Sequence, residues 1–339
     1  MRPFLYERAD DAQAAVRAAA QPGAHLAPTA ASVQFLAGGT NIVDLMKLDT
    51  RRPEVLGDIN GLQAQHGRIE AGPQGLRLGA LVRMSQAADD PTIQRDYPVI
   101  AQSLQLAASA QLRNMASLAG NVLQRTRCEY FRSTDYRRCN KRTLGSGCDA
   151  LDGVNRMHAI LGVDEQCISN YPGDFAQALV ALDAVVETAG PGGARTLRFE
   201  DLHRPVTDGP ENETVLAPGE LITGFVVPAG PWTRRSTYVK VRDRESYEYG
   251  VATAAVALEL EAGVVRTARI GLGGVAYKPW RAHEAEAALQ GKPLTEANAD
   301  AAARIAFAQA QPRGENAFKV ELGRHTLVRA LLHAAQMEA

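Results

Sequence analysis

The sequence predicts a mixed fold, α/β or α+β, in two or three domains. Three observations carry that prediction. Short strand-like runs alternate with helical runs along the chain. The length, 339 residues, exceeds what a single core ordinarily organises. The last third has the two-residue alternation of paired antiparallel strands, followed by helical stretches.

In chain order, "ADDAQAAVRAAA" (9–20) reads as a helix with an acidic first turn. "SVQFLAGGTNIVDLMK" (32–47) reads as a strand, a glycine turn, and then a strand or a helix. "GLRLGALV" (75–82) is a strand, and "YPVIAQSLQLAAS" (97–109) a helix with Pro98 near its first turn. "RNMASLAGN" (113–121) reads as a turn of small residues. "FAQALVALDAVVETAG" (175–190) is an apolar helix running into a strand, and "GPGGAR" a turn. "ELITGFVVP" (220–228) is a strand, after which Pro228 and "AGPW" mark a domain boundary. "EYGVATAAVALEL" and "VVRTARIGLGGVA" read as two antiparallel strands. "HEAEAALQG", closed by Gly291, "TEANADAAARIAFAQA" and "ELGRHTLVRALLHAAQ" read as helices.

The composition is globular: 45% hydrophobic, 22% charged, net charge −1. No global charge excess points to nucleic acid, and the basic cluster at 125–142 is local. No run of 18 apolar residues occurs, so no membrane span is expected. The opening "MRPFLYERADDAQ" lacks the order of a secretory signal, which makes the cytoplasm the default expectation. Export alongside a signal-bearing partner would instead place the chain in the periplasm.

All four cysteines, Cys128, Cys139, Cys148 and Cys167, fall in one polar stretch with spacing C-x10-C-x8-C-x18-C. Buried free cysteines usually sit in apolar runs, whereas these are flanked by Arg, Asp, Ser and Gly. Disulfides need an oxidising compartment, and structural zinc usually uses closely paired ligands. An iron–sulfur cluster, whose usual complement is four thiolates, stands open beside these three readings, the spacing matching no short cluster signature. Arg127, Arg132, Arg137, Arg138, Lys141 and Arg142 could offset its negative charge, and backbone N–H groups of "LGSGC" could donate to the sulfurs.

"FLAGGTNIVDLMK" places Gly38, Gly39, Thr40 and Asn41 directly after an apolar strand. Paired glycines let a backbone approach a phosphate closely and present N–H donors to it. "ASLAGN" offers a second such turn, with Ser117, Gly120 and Asn121. Each could also be an ordinary loop. No phosphate-binding G-x-x-x-x-G-K-[ST] and no helix-opening G-x-G-x-x-G occurs, so a dinucleotide here would need a scaffold other than the Rossmann fold. The seven histidines are scattered; His158 reads as structural rather than as a base. "YVKVRDRESYEYG" (238–250) is either an exposed strand edge or a set of donors, with an aromatic, for an anionic planar ligand.

Taken in order, "FLAGGTNIVDLMK", "QLRNMASLAGN", "NRMHAILG…CISNYPGDFAQALVALDA", "GELITGFVVP" and "IGLGGVAYKPWRA" cover nearly the whole chain. Together they resemble the FAD-binding medium subunit of the molybdenum hydroxylases, the xanthine dehydrogenase and carbon monoxide dehydrogenase family. The cysteine insert resembles the subgroup of flavin subunits from bacterial periplasmic aldehyde oxidoreductases, where four cysteines hold a [4Fe–4S] cluster. The flavin subunit of 4-hydroxybenzoyl-CoA reductase is the neighbouring possibility, and a xanthine dehydrogenase-like enzyme a further one.

The resemblance implies an α+β fold. Its first part would be a two-subdomain FAD-binding domain of the vanillyl-alcohol-oxidase (PCMH) type over 1–230, with subdomains of about 1–60 and 61–230 and a cluster insert at 125–170. A smaller α+β domain with an antiparallel sheet would follow over 231–339. By the same resemblance, Leu36, Ala37, Gly38, Gly39, Thr40, Asn41 and Ile42 would wrap the FAD diphosphate. Ser117, Gly120 and Asn121 would form the second turn. Asp174 would hold the adenosine end, Ile222 would pack on the ligand, and Lys240 would sit by the isoalloxazine. The family often has an acidic residue where Asn41 stands. Cys128, Cys139, Cys148 and Cys167 would be the cluster ligands.

The implied function is electron transfer in a heterotrimer. A partner subunit would hold the molybdenum cofactor and the substrate site, and a second partner [2Fe–2S] clusters. The FAD here would pass electrons to an external acceptor: oxygen, a quinone, ferredoxin or NAD. Two other classes stay open: a stand-alone flavin oxidase of the same fold, and a zinc-bearing structural protein without flavin.

Overall fold

The computed structural model describes residues 1–20 and 31–338, which form three sheets with helices packed between and outside them. The first sheet is parallel: β1 (Leu5–Arg8), β2 (Val33–Leu36) and β3 (Val55–Asp58), in the order β1-β3-β2. The helix Ala12–Ala19 packs beside it, its N-terminus capped by Asp11, which accepts the Ala14 N–H at 2.6 Å. The helix Ile42–Lys47 follows the glycine turn after β2, so this segment is helical and not a second strand. Its apolar residues fall at helical spacing, and Leu45 and Met46 are buried.

The second sheet is antiparallel: β4 (Ile69–Gly72), β5 (Gly75–Gly79), β6 (Val185–Gly190), β7 (Gly193–Arg198) and β8 (Leu221–Pro228), in the order β4-β5-β8-β6-β7. The chain between β5 and β6 builds a helical layer and the cysteine-bearing segment. Pro98 is the first residue of the helix Pro98–Gln105. Residues 113–121, expected as a turn, are instead mostly helical. Ser109 caps Ala110–Met115 by accepting from Leu112 N–H, and Ser117 caps Leu118–Val122 by accepting from Gly120 N–H. Small residues with a serine cap suit short helices as well as turns.

The third sheet is antiparallel: β9 (Ser236–Val241), β10 (Ala252–Glu261), β11 (Val264–Gly273) and β12 (Trp280–Arg281), in the order β12-β11-β10-β9. Side chains of β10 alternate between two cores. Ala255 and Ala257 join the core that holds Ile100 and Leu179. Ala254, Val256 and Leu258 join the core formed with the helices His283–Leu289, Glu296–Ala306 and Lys319–Gln336. Burial on both faces is why this strand reads as a near-continuous run of small apolar residues.

Lys319, at the start of the last helix, is fully buried and donates to the carbonyls of Met157 at 2.9 Å and Gly274 at 2.8 Å. It thereby fastens the cysteine-bearing segment to the third sheet. Burial, with Arg156 adding to it, lowers its pKa from 10.5 to about 7. The unfolded chain therefore binds more protons than the folded one between these values, and stability from this group rises with pH across that window. The expected slope is at most about 1.4 kcal/mol per pH unit. In urea unfolding at pH 7 and at about pH 9, the stability of wild type relative to Lys319→Met should improve on going to the higher pH; parallel curves would refute the assignment.

Candidate functional site

A cleft of about 750 Å³ opens between the first and second sheets, within the roughly 300–1,000 Å³ range of cofactor sites. Ala37, Gly38, Gly39, Thr40, Asn41 and Ile42 line it from one side, Ser117 and Gly120 from a second, and Ile222 of β8 from a third. The glycine turn and the Ser117-capped helix that stands in place of the second expected turn are thus brought together. Leu36 and Asn121 are not among the residues lining it.

The turns touch through Gly38. A Cβ there would lie 1.9 Å from the Met115 carbonyl oxygen, a space only glycine leaves open. Gly39 has φ +74°, the left-handed region, which frees the chain to turn into the helix behind it. Asn60 and Arg83, which the motifs did not suggest, hold the turns in place. Asn60 Nδ2 donates to Ala37 O at 2.9 Å, Arg83 Nη2 to Asn60 Oδ1 at 3.0 Å, and Arg83 Nη1 to Met115 O.

The cleft also presents donors without acceptors. Among the described residues, the buried Asn41 Nδ2 and Arg51 Nε have no hydrogen-bond partner. Arg51 lines the cleft. Burial and the nearby Arg125 work against its charge while Glu213 supports it; an anion in the cleft would add to that support. A glycine cradle, orphaned donors and a guanidinium that Glu213 offsets only in part fit a dinucleotide diphosphate. Arg51 was missed because its charge, remote from any motif, reads as an ordinary surface residue.

Asp174 and Lys240 are placed differently from expectation. They form one buried ion pair, Lys240 Nζ to Asp174 Oδ2 at 2.8 Å, and neither lines the cleft. Tyr238 Oη donates to the other carboxylate oxygen at 2.7 Å, and Lys240 also donates to Leu106 O at 3.0 Å. Burial pushes the Asp174 carboxyl upward while Lys240 and Tyr238 pull against it. Two residues in contact cannot serve opposite ends of an extended dinucleotide, so separate adenosine and isoalloxazine roles do not hold for the pair. In the remainder of 238–250, Arg242 also donates to Leu106 O, at 3.1 Å, Arg244 donates to Ser246 O at 2.9 Å, and Tyr247 lies on the surface. This is the edge of the third sheet.

The four cysteines are free thiols gathered in one region. Cys139 and Cys148 face each other across a short antiparallel bridge. The Cys148 and Cys167 thiols lie close enough to influence each other, Cys167 Sγ donates to Ser169 Oγ at 3.4 Å, and Cys128 and Cys139 lie within electrostatic reach of Cys167. Nearby backbone N–H groups favour the thiolate forms, those of Tyr130 and Phe131 at Cys128, Lys141 and Arg142 at Cys139, Ala150 and Ile168 at Cys148, and Ser169 at Cys167, although the Phe131 and Arg142 N–H groups are bonded to the Cys128 and Cys139 carbonyls at 3.1 and 2.9 Å. Gly147 N–H goes to Asn140 Oδ1 at 3.0 Å instead. The neighbouring Cys148, with Lys141 adding to it, draws the Cys167 thiol down, while burial pushes the Cys128 thiol up to about 12. His158 lies 3.2 Å from Cys128 Sγ, and burial lowers it to about 4, so its ring is neutral.

The basic residues of the segment are mostly engaged elsewhere. Arg127 and Arg132 bind Asp44, Arg138 binds Asp149 and Asp152, and Arg142 donates to carbonyls of its own loop. Only Lys141 and Arg142 act electrostatically on a cysteine. Lys141 is itself buried against Glu213 at 2.6 Å and Tyr277 at 2.9 Å, and Arg125 pairs with the same carboxylate. Most of this positive charge therefore folds the segment. Among the described residues, no three His, Cys, Asp or Glu side chains converge tightly enough for a single metal ion.

A glycine-cradled cleft between a small parallel sheet and an antiparallel one defines a non-Rossmann dinucleotide-binding protein. The family described as the FAD binding domain in molybdopterin dehydrogenase matches residues 2–230, and the CO dehydrogenase flavoprotein C-terminal domain matches 236–334. The chain belongs to the FAD-binding medium subunits of the molybdenum hydroxylase family, which are subunits of oxidoreductase complexes. It is 44% identical to the aldehyde oxidoreductase FAD-binding subunit PaoB of Escherichia coli (strain K12), over 98% of this chain and 99% of that one. It is 27% identical to the carbon monoxide dehydrogenase medium chain of Afipia carboxidovorans, over 88% of each. Among solved structures, a carbon monoxide dehydrogenase from Hydrogenophaga pseudoflava superposes with TM-score 0.75 at 25% identity, covering 98% of this chain and 97% of that one. No helix among the described residues is long and apolar enough to cross a membrane.

Proposed function

We propose that the chain is the FAD- and [4Fe–4S]-carrying electron-transfer subunit of a heterotrimeric, molybdenum-dependent aldehyde oxidoreductase. One observation carries the reading: the helix Ile42–Lys47 borders both sites. Leu45 lines the dinucleotide cleft and packs in one cluster with Phe131, Cys128 and Cys139. Full-length similarity to an aldehyde oxidoreductase subunit supports the substrate class. The substrate site would lie on a molybdenum-cofactor partner, and a [2Fe–2S] partner would deliver electrons. FAD, when bound, supplies the capacity to collect single electrons and discharge them in pairs to an external acceptor.

The residues of this chain bind and orient. Gly38, Gly39, Thr40, Asn41, Ser117 and Gly120 hold the diphosphate, Arg51 offsets its charge, and Ile222 packs on the ligand. Four free thiols gathered in one segment support a cluster, which binds each thiolate to its own iron. Iron, sulfide, zinc and released flavin per chain, measured after anaerobic purification, test the reading. About four iron, four sulfide and one non-covalent FAD are expected; zinc without iron would overturn the cluster, and an absence of flavin the electron-transfer role.

A further inference from the structure

We infer that Asp44 is a positioning residue through which the cysteine segment holds the FAD cleft in shape. The inference rests on the chain's reading as an FAD-binding subunit and, in its last step, on the cluster. Asp44 belongs to the helix that follows the diphosphate turn, yet it does not line the cleft. Its carboxylate faces away, toward the segment that begins at Arg125. Arg132 grips it with two hydrogen bonds, at 2.7 and 3.0 Å, and Arg127 adds a third at 2.9 Å. Cys128 lies between these arginines in sequence, and the short helix Glu129–Arg132 fixes their spacing.

Two further contacts run in the same direction. The Arg125 N–H donates to Asn41 Oδ1 at 3.3 Å, which leaves Asn41 Nδ2 as the free donor of that side chain. Leu45 fills the space between the cleft and the Phe131–Cys128–Cys139 cluster. The helix Ile42–Lys47 has only six residues. A helix that short does not hold itself in place. Its position is set by these contacts, and with it the orientation of Asn41 and Ile42 toward the ligand. A cysteine segment pinned by its cluster keeps Arg127 and Arg132 where they meet Asp44; a released segment lets the helix and the turn relax.

The test uses the full chain, with FAD affinity read by flavin fluorescence and iron counted per chain. Asp44→Asn removes the charge while keeping the shape. It should weaken FAD by about ten- to a hundredfold, the worth of a lost charge-assisted contact set, with iron unchanged. Asp44→Glu should recover most of that affinity, which a merely destabilised helix would not do. Arg132→Gln, on the other side of the contact and clear of the cleft, should match Asp44→Asn and stands in for it should that variant not fold. Cys139→Ser should lose iron and weaken FAD by a comparable factor. Wild-type FAD affinity in both Asp44→Asn and Arg132→Gln would overturn the positioning role. Wild-type affinity in an iron-free Cys139→Ser chain would overturn the coupling to the cysteines. A wild-type chain that binds FAD but carries no iron would refute the cluster alone, leaving Asp44 to be judged on its own variants.

Discussion

Replacing Gly38 by alanine is expected to cost the chain its FAD. The added Cβ would lie 1.9 Å from the Met115 carbonyl oxygen and 2.6 Å from its carbon. Both are backbone atoms, and the carbonyl is already held by Arg83, so relief requires moving one turn away from the other. Overpacking of this kind costs about 1–3 kcal/mol of stability. The effect on binding should be larger, at least about a hundredfold (roughly 2.7 kcal/mol), because the two turns must present their donors to one diphosphate. Gly39→Ala is the informative contrast. Its φ of +74° is strained for alanine, at about 1–2 kcal/mol, but the nearest atoms to its Cβ are side-chain carbons at 3.3 and 3.4 Å, which can yield. Flavin fluorescence titration should therefore rank wild type above Gly39→Ala and Gly39→Ala well above Gly38→Ala. Equal affinity of Gly38→Ala and wild type would mean that the turns do not close on a shared ligand.

Glu213→Gln should be the most destabilising change outside the cleft. The Glu213 carboxylate sits between Arg125 and Lys141, whose side chains are 5% and 2% exposed. Burial pushes its pKa up, but Arg125 and Lys141 outweigh burial and hold it below the ordinary carboxylate value. Burial would likewise push the Lys141 ammonium down, and Glu213, Tyr277 and Cys167 together keep it protonated. Glutamine preserves the shape and removes the charge that both cations share. Breaking a buried pair costs about 3–5 kcal/mol because uncompensated charge remains. Urea unfolding measures the loss. Lys141→Met should cost less, since Arg125 still neutralises the carboxylate. The reverse order would show that the lysine, through its bonds to Tyr277 and to the Pro210 carbonyl, matters more than the charge balance.

Local patterns made part of this molecule readable. Gly38 and Gly39 were recognisable because a backbone that turns sharply beside a phosphate has few residue types to choose from. The cysteines were recognisable because four thiols in a polar stretch have few uses. The strands of the third sheet were visible from their periodicity. The segment 113–121 was misread because a serine followed by small residues caps a short helix and a turn equally well. The contact between Asp174 and Lys240 was not legible, since 66 residues separate them and neither position signals its partner. Asn60, Arg83 and Arg51 passed unnoticed for the same reason.

By itself, then, the sequence determined the mixed α+β character, the Gly38–Gly39 turn, the cysteine set and the family to which they belong. These depend on residue chemistry and on spacing within one element, which near neighbours control. Only the tertiary structure decided that Gly38 meets Met115, that Asp174 serves Lys240, that the segment's arginines are spent on Asp44, Asp149 and Asp152, and that one short helix stands between the cleft and the cysteines. Such pairings join residues tens of positions apart. They are selected by the packing of three sheets and by the cost of leaving any buried charge or donor without a partner.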